Sequence, residues 1–214
     1  MERMQTIKNS FKNNKGFTLV EIGIVLVIIG IILGAVLKGK DLISGARFKK
    51  FTQATHLWTL STYNYLDRFG RFPGDATNTG IIPVAGNVKT DFTNAKFEET
   101  PTNPIVIGSF SFYALLGNDG QVPARNVMVI CPDSACATTF DAEQIKFIQA
   151  FDTSIDGLAD GATGIVRCQT AAPQTATYAN WTVLTVTSPA AAPAADACAA
   201  ATTKAMVFYF DRAP

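Results

Sequence analysis

Residues able to do chemistry are sparse in this chain of 214 residues, and their spacing narrows what they can do. There is one histidine, His56, so no multi-histidine metal centre can be built. His56 precedes Leu57 and Trp58 in a helical pattern, where it reads as a packing or surface residue rather than a general base. Gly-x-Ser-x-Gly, a Walker loop and His-Glu-x-x-His are all missing from the sequence. Neither an enzyme nor a bound cofactor is therefore expected. The four cysteines, Cys131, Cys136, Cys168 and Cys198, do not form the two close pairs usual for zinc, and as disulfide partners they allow three pairings. Asp152, Asp156 and Asp160 are hard oxygen donors that could ligate calcium. They lack the EF-hand spacing, and aspartate–glycine pairs are ordinary turn formers, so no metal is assigned.

The remaining reactive group is Glu21, at the edge of an apolar run. Ile22 to Leu37 reads IGIVLVIIGIILGAVL, without a charge. With residues 17–21 it is long enough to span a bilayer as a helix, at roughly 20 residues of about 1.5 Å each. A carboxylate at such depth costs about 3 kcal/mol on insertion scales and calls for a partner, unless it sits at the interface. Residues 1–16 carry Arg3, Lys8, Lys12 and Lys15 against Glu2, a basic flank that favours the cytoplasmic side. Lys38, Lys40, Arg47, Lys49 and Lys50 follow the run and compete with it. An ordinary signal peptide fits poorly, because no small-x-small cleavage site follows the run.

Lys15-Gly16-Phe17-Thr18-Leu19-Val20-Glu21 resembles the cleavage and methylation motif of type IV prepilins and type II secretion pseudopilins. The resemblance is strong over about residues 8–50. It implies cleavage after Gly16 by a prepilin peptidase, N-methylation of Phe17, and pairing of Glu21 with a neighbouring subunit's N-terminal amine. It implies self-assembly into a helical filament on an inner-membrane assembly platform. The chain would be a single-pass inner-membrane protein with a periplasmic head. It would then enter an extracellular type IV pilus (fimbrium), or alternatively a periplasmic pseudopilus of a type II secretion system. A membrane-anchored binding domain is the remaining alternative. With 16% charged residues and a net charge of +1, no nucleic-acid partner is expected.

The elements that must position these groups follow. No proline occurs from Phe17 to Arg68, so a long helix is expected, transmembrane over about 17–37. Gly30 and Gly34 form a GxxxG that permits close helix approach in lipid. Beyond it, Leu42, Ile43, Ala46, Phe48, Phe51, Ala54, Leu57, Trp58, Leu60, Tyr65 and Leu66 recur at helical spacing and need a cover from about residue 45. Gly70 suits a C-terminal cap and Pro73 ends the helix. Residues 71–107 read as a connecting loop and 108–214 as the globular head. In the head, Phe110–Leu116 is taken as a short helix by analogy with the family. Asp141–Phe151 is a helix that Thr139 could cap. Val127–Ile130, Gly164–Arg167, Thr182–Val186 and Ala205–Phe210 are β-rich, the last two forming a long hairpin across an Ala-Pro-rich connection. The sum is an α+β fold, a long N-terminal helix packed on a small antiparallel sheet. The resemblance further implies disulfides Cys131–Cys136 and Cys168–Cys198. Asn180-Trp181-Thr182 fits a glycosylation sequon, a tripeptide common by chance.

Overall fold

Helix α1 runs from Leu19 to Phe69 in the computed structural model, which describes residues 16–184 and 198–211. The chain divides into two compact units, residues 1–44 and 45–214. In the first, every large apolar side chain from Leu19 to Leu37 is exposed. Among the described residues α1 is the one helix long and apolar enough to cross a membrane. In the second unit α1 ends at Gly70, whose φ is +70° and whose N–H donates to the Leu66 carbonyl at 2.7 Å. A residue with a Cβ is strained in that left-handed conformation, which is why glycine closes the helix.

The buried face of α1 is Phe51, Thr55, Trp58, Ser61, Thr62 and Tyr65. This corrects the apolar stripe read from sequence. Leu60 is exposed, while three hydroxyl residues lie inside. Thr55 and Thr62 satisfy their hydroxyls by donating to the carbonyls of Phe51 and Trp58 one turn back. A buried threonine so paired avoids the desolvation penalty of an orphaned hydroxyl, so helical position decides the face more than hydropathy does.

The head is a mixed sheet of seven strands: β1 Ile105–Ile107, β2 Phe110–Asn118, β3 Asn126–Cys131, β4 Val166–Gln169, β5 Thr175–Thr177, β6 Thr182–Leu184 and β7 Ala205–Phe208. The order is β4-β7-β3-β2-β6-β5, with β1 beside β2. All pairs are antiparallel except β2 with β6. Two sequence expectations are corrected in the sheet. Phe110–Leu116 is strand, not helix. Its Phe112, Ala114 and Leu116 enter the core shared with α1, while Leu115 enters a second core on the opposite face. A strand covered on both faces loses its alternation and reads like a helix segment. The 182–186 and 205–210 runs do not form a hairpin: β6 pairs β2 and β5, and β7 pairs β3 and β4. Residues 185–197, most of the connection between them, lie outside the described residues, as does the leader up to Lys15.

Segment 71–107 is also more structured than a loop. It contains helix α2, Val88–Ala95, capped by the Asn87 side chain accepting from the Thr90 N–H, and it contains β1. Ile82, Val88, Phe92, Ala95, Ile105 and Ile107 from this segment are buried. Two strand asparagines fix its path: Asn126 accepts from the Ile82 N–H, and Asn118 donates to the Ile82 carbonyl. Helix α3 spans Gln144–Asp156. Its entry is held by Asp141, which accepts from the N–H groups of Glu143 and Gln144, rather than by Thr139. Phe51 of α1 meets Phe112 of β2 at 4.8 Å and Phe151 of α3 edge-on at 6.1 Å, so both helices pack on one face of the sheet.

Candidate processing and assembly site

Gly16, Phe17 and Thr18 precede the helix without regular structure, and Phe17 is 82% exposed. A Cβ built on Gly16 would meet nothing within 4 Å. Among the described residues no neighbour requires glycine at 16. The same holds at Gly23, Gly30, Gly34, Gly39 and Gly45, all helical and all facing open space. Glycine inside a helix costs about 1 kcal/mol relative to alanine, and no contact among the described residues offsets it.

Thr18 and Glu21 form a reciprocal capping box. The Thr18 N–H and Oγ1 both donate to Glu21 Oε2, at 2.8 and 2.9 Å, and the Glu21 N–H donates to Thr18 Oγ1 at 3.2 Å. Two backbone donors that a helix start leaves bare are thus satisfied, and the one acid of the apolar stretch has partners. Thr18 joins the candidate residues through these bonds, and Thr-x-x-Glu ahead of an apolar run is their signal in the sequence. The box brings Glu21 next to Phe17, the residue on the far side of the bond after Gly16.

The other candidates lie in the second unit, apart from this site in the sequence. Cys131 is joined to Cys136 and Cys168 to Cys198, with Cα separations of 5.1 and 5.3 Å. His56 is exposed, its ring 6.1 Å from that of Phe151. Asp152, Asp156 and Asp160 are engaged with the loop that follows α3. Asp152 accepts from the Gly161 N–H, Asp156 from the Val166 N–H, and Asp160 from Ala162 and Thr163. Among the described residues no group of three or more acidic, histidine or cysteine side chains is placed to hold a metal ion. Burial pushes the Asp152 carboxyl up to about 7, against the Gly161 N–H and with help from the charges of Asp156 and Asp160. In the sequon, Thr182 is fully buried in β6.

One polar network was not anticipated from sequence. Asp91 of α2 accepts two bonds from Arg71, at 2.8 and 3.2 Å, and one from the Gly74 N–H at 2.7 Å. Burial raises the Asp91 pKa, but Arg71 and Gly74 outweigh it and hold the carboxyl below the usual range. The Phe72-Pro73-Gly74-Asp75 turn is thereby tied to α2. An aspartate 16 residues beyond Asp75 carries no local signal of that role.

Residues 11–37 match the prokaryotic N-terminal methylation motif. The chain carries the prepilin signature of type IV pilins and pseudopilins. No curated protein and no solved structure matches the chain. The prepilin motif covers Gly16, Phe17, the Thr18–Glu21 box and the apolar stretch through Leu37. The head lies outside it. The motif and the apolar helix together fit a membrane-anchored, pilin-like precursor processed by prepilin peptidase.

Proposed function

We propose that the chain is the precursor of a structural subunit of a type IV pilus or pilus-like filament. Prepilin peptidase cuts it after Gly16 and methylates the new amine of Phe17. The observation that carries this reading is the prepilin signature coinciding with a capped helix start whose following apolar residues are all exposed. Apolar surface on that scale needs a lipid or protein cover. Before assembly the helix lies across the inner membrane with the head on the periplasmic side. Within the filament the same surface packs against copies of itself, and the glycines allow close approach.

Cleavage converts the Phe17 amide into an amine with an ordinary pKa near 7.7–8.0. A neighbour's amine, positively charged, is the natural partner for Glu21 in an apolar bundle, because each charge relieves the other's desolvation. Glu21 must then exchange part of its Thr18 cap for that amine. Mass analysis of assembled fibres tests the reading. A mature chain starting at N-methyl-Phe17 is expected, and Gly16→Leu should accumulate uncut precursor. Glu21→Ala should insert and be cut yet enter fibres poorly, measured as sheared or machine-associated fibre relative to the membrane pool. A mature N-terminus beyond Leu37 would refute the prepilin role. Glu21→Ala assembling like the parent would refute the role given to Glu21.

A further inference from the structure

Lys38 and Lys40 come immediately after the apolar run, and both side chains lie at the surface. Among the described residues neither has an ion-pair partner. In a helix two positions apart is about 200° of rotation, so the two ammonium groups leave the helix on opposite sides. Before assembly the helix stands in the bilayer, and a charge on each side suits a partner that surrounds it there. A lipid headgroup layer does so. The distances agree: Lys38 and Lys40 lie about 1.5 and 4.5 Å beyond Leu37 along the helix. The polar layer outside the hydrocarbon core is about 5–7 Å thick on each side. Asp41, the one acid of residues 38–44, falls at the outer edge of that layer. Arg47, Lys49 and Lys50 belong to the other unit.

We infer that Lys38 and Lys40 bind anionic phospholipid headgroups at the end of the span farther from Gly16. The inference rests on the membrane-spanning reading of α1. Their aliphatic stems lie along the helix and their ammonium groups reach phosphate. Each lysine near an anionic surface contributes about 1 kcal/mol, a preference of about fivefold. Because this preference is electrostatic, salt weakens it. In assembly these contacts oppose removal of the chain from an anionic bilayer and leave removal from a zwitterionic one unaffected.

The test uses the full chain reconstituted in phosphatidylcholine vesicles containing 30% phosphatidylglycerol. Spin-labelled phosphatidylglycerol and phosphatidylcholine report which lipid is held at the protein boundary. The parent should prefer phosphatidylglycerol. Lys38→Gln with Lys40→Gln should lower that preference by fivefold or more, and 0.5 M NaCl should lower the parent toward it. The basic leader is present in both chains, so the difference isolates the two lysines. Arg47→Gln with Lys49→Gln and Lys50→Gln should retain the parental preference. Equal preference in the parent and the Lys38/Lys40 variant overturns the inference, as does a triple variant that loses it. Carbonate-washed flotation is run alongside. A chain that does not float with the vesicles overturns the spanning reading, and this inference with it.

Discussion

Replacing Asp152 by asparagine should stabilise the head, and by an amount that depends on pH. Asp152 is fully buried, its Oδ2 accepts from the Gly161 N–H at 2.9 Å, and Oδ1 has no donor among the described residues. An oxygen that itself carries the proton needs no donor, and burial together with the charges of Asp156 and Asp160 favours that protonated form. The folded pKa of about 7 lies above the unfolded value of 3.8. Below pH 4 both states hold the proton and Asp152 has no effect. Between pH 4 and 7 the unfolded state ionises while the folded state does not, so stability falls as pH rises. The fall is about 1.4 kcal/mol per pH unit and totals about 4 kcal/mol, levelling off above pH 7. The asparagine amide would keep an acceptor for Gly161 and carry no charge, mimicking the protonated acid at every pH. Parent and Asp152→Asn should therefore have similar urea midpoints at pH 4. By pH 7 the variant should be ahead by about 4 kcal/mol, a melting shift of about 8–16 °C for a chain of this size. Carboxylates that do not interact with Asp152 titrate alike in both proteins and cancel in the difference. A stability difference that stays constant from pH 4 to pH 7 would refute the buried-proton argument.

Two further substitutions probe the packing of the head. Gly117→Ala places a methyl group onto the Val183 carbonyl in the parallel β2–β6 pair, and should cost about 3 kcal/mol or more in urea unfolding; an unchanged midpoint would contradict this register. Asp91→Ala strips Arg71 and the Gly74 N–H of their acceptor and should cost about 2–3 kcal/mol at pH 7. Because the Asp91 pKa is depressed, the parent should lose that advantage only as acid brings the pH below the ordinary carboxylate range, which a pH series of unfolding midpoints would show.

Legibility followed the range of the interactions. The long helix and its stop at Gly70 are written locally, in the missing prolines and in one glycine whose φ is positive. The prepilin signature is likewise a contiguous string. The buried face of α1 was less legible, because Thr55 and Thr62 hide their polarity by bonding back to their own helix. Phe110–Leu116 misled because β2 is covered on both faces, and its run of apolar residues carries no period of two. The order of the sheet was not legible at all. Pairing β7 with β3 depends on partners more than 70 residues apart, and no short pattern encodes such a choice. At the processing site Gly16, Phe17 and Glu21 stand out by type, while Thr18 is legible only through its spacing from Glu21, the Thr-x-x-Glu pattern of a capping box.

That sheet order has a consequence for the order of synthesis. β7 is the last described strand in the chain, yet it sits between β3 and β4. A ribosome delivers β3 and β4 first, and neither has its β7 neighbour until residues 205–208 emerge. Until then β3 has one open edge, and β4 has no strand beside it. Open edges of this kind recruit other chains. The nascent head is therefore exposed to mispairing for nearly the whole of its translation, and a stop codon ahead of residue 205 would leave a sheet that no amount of time could complete.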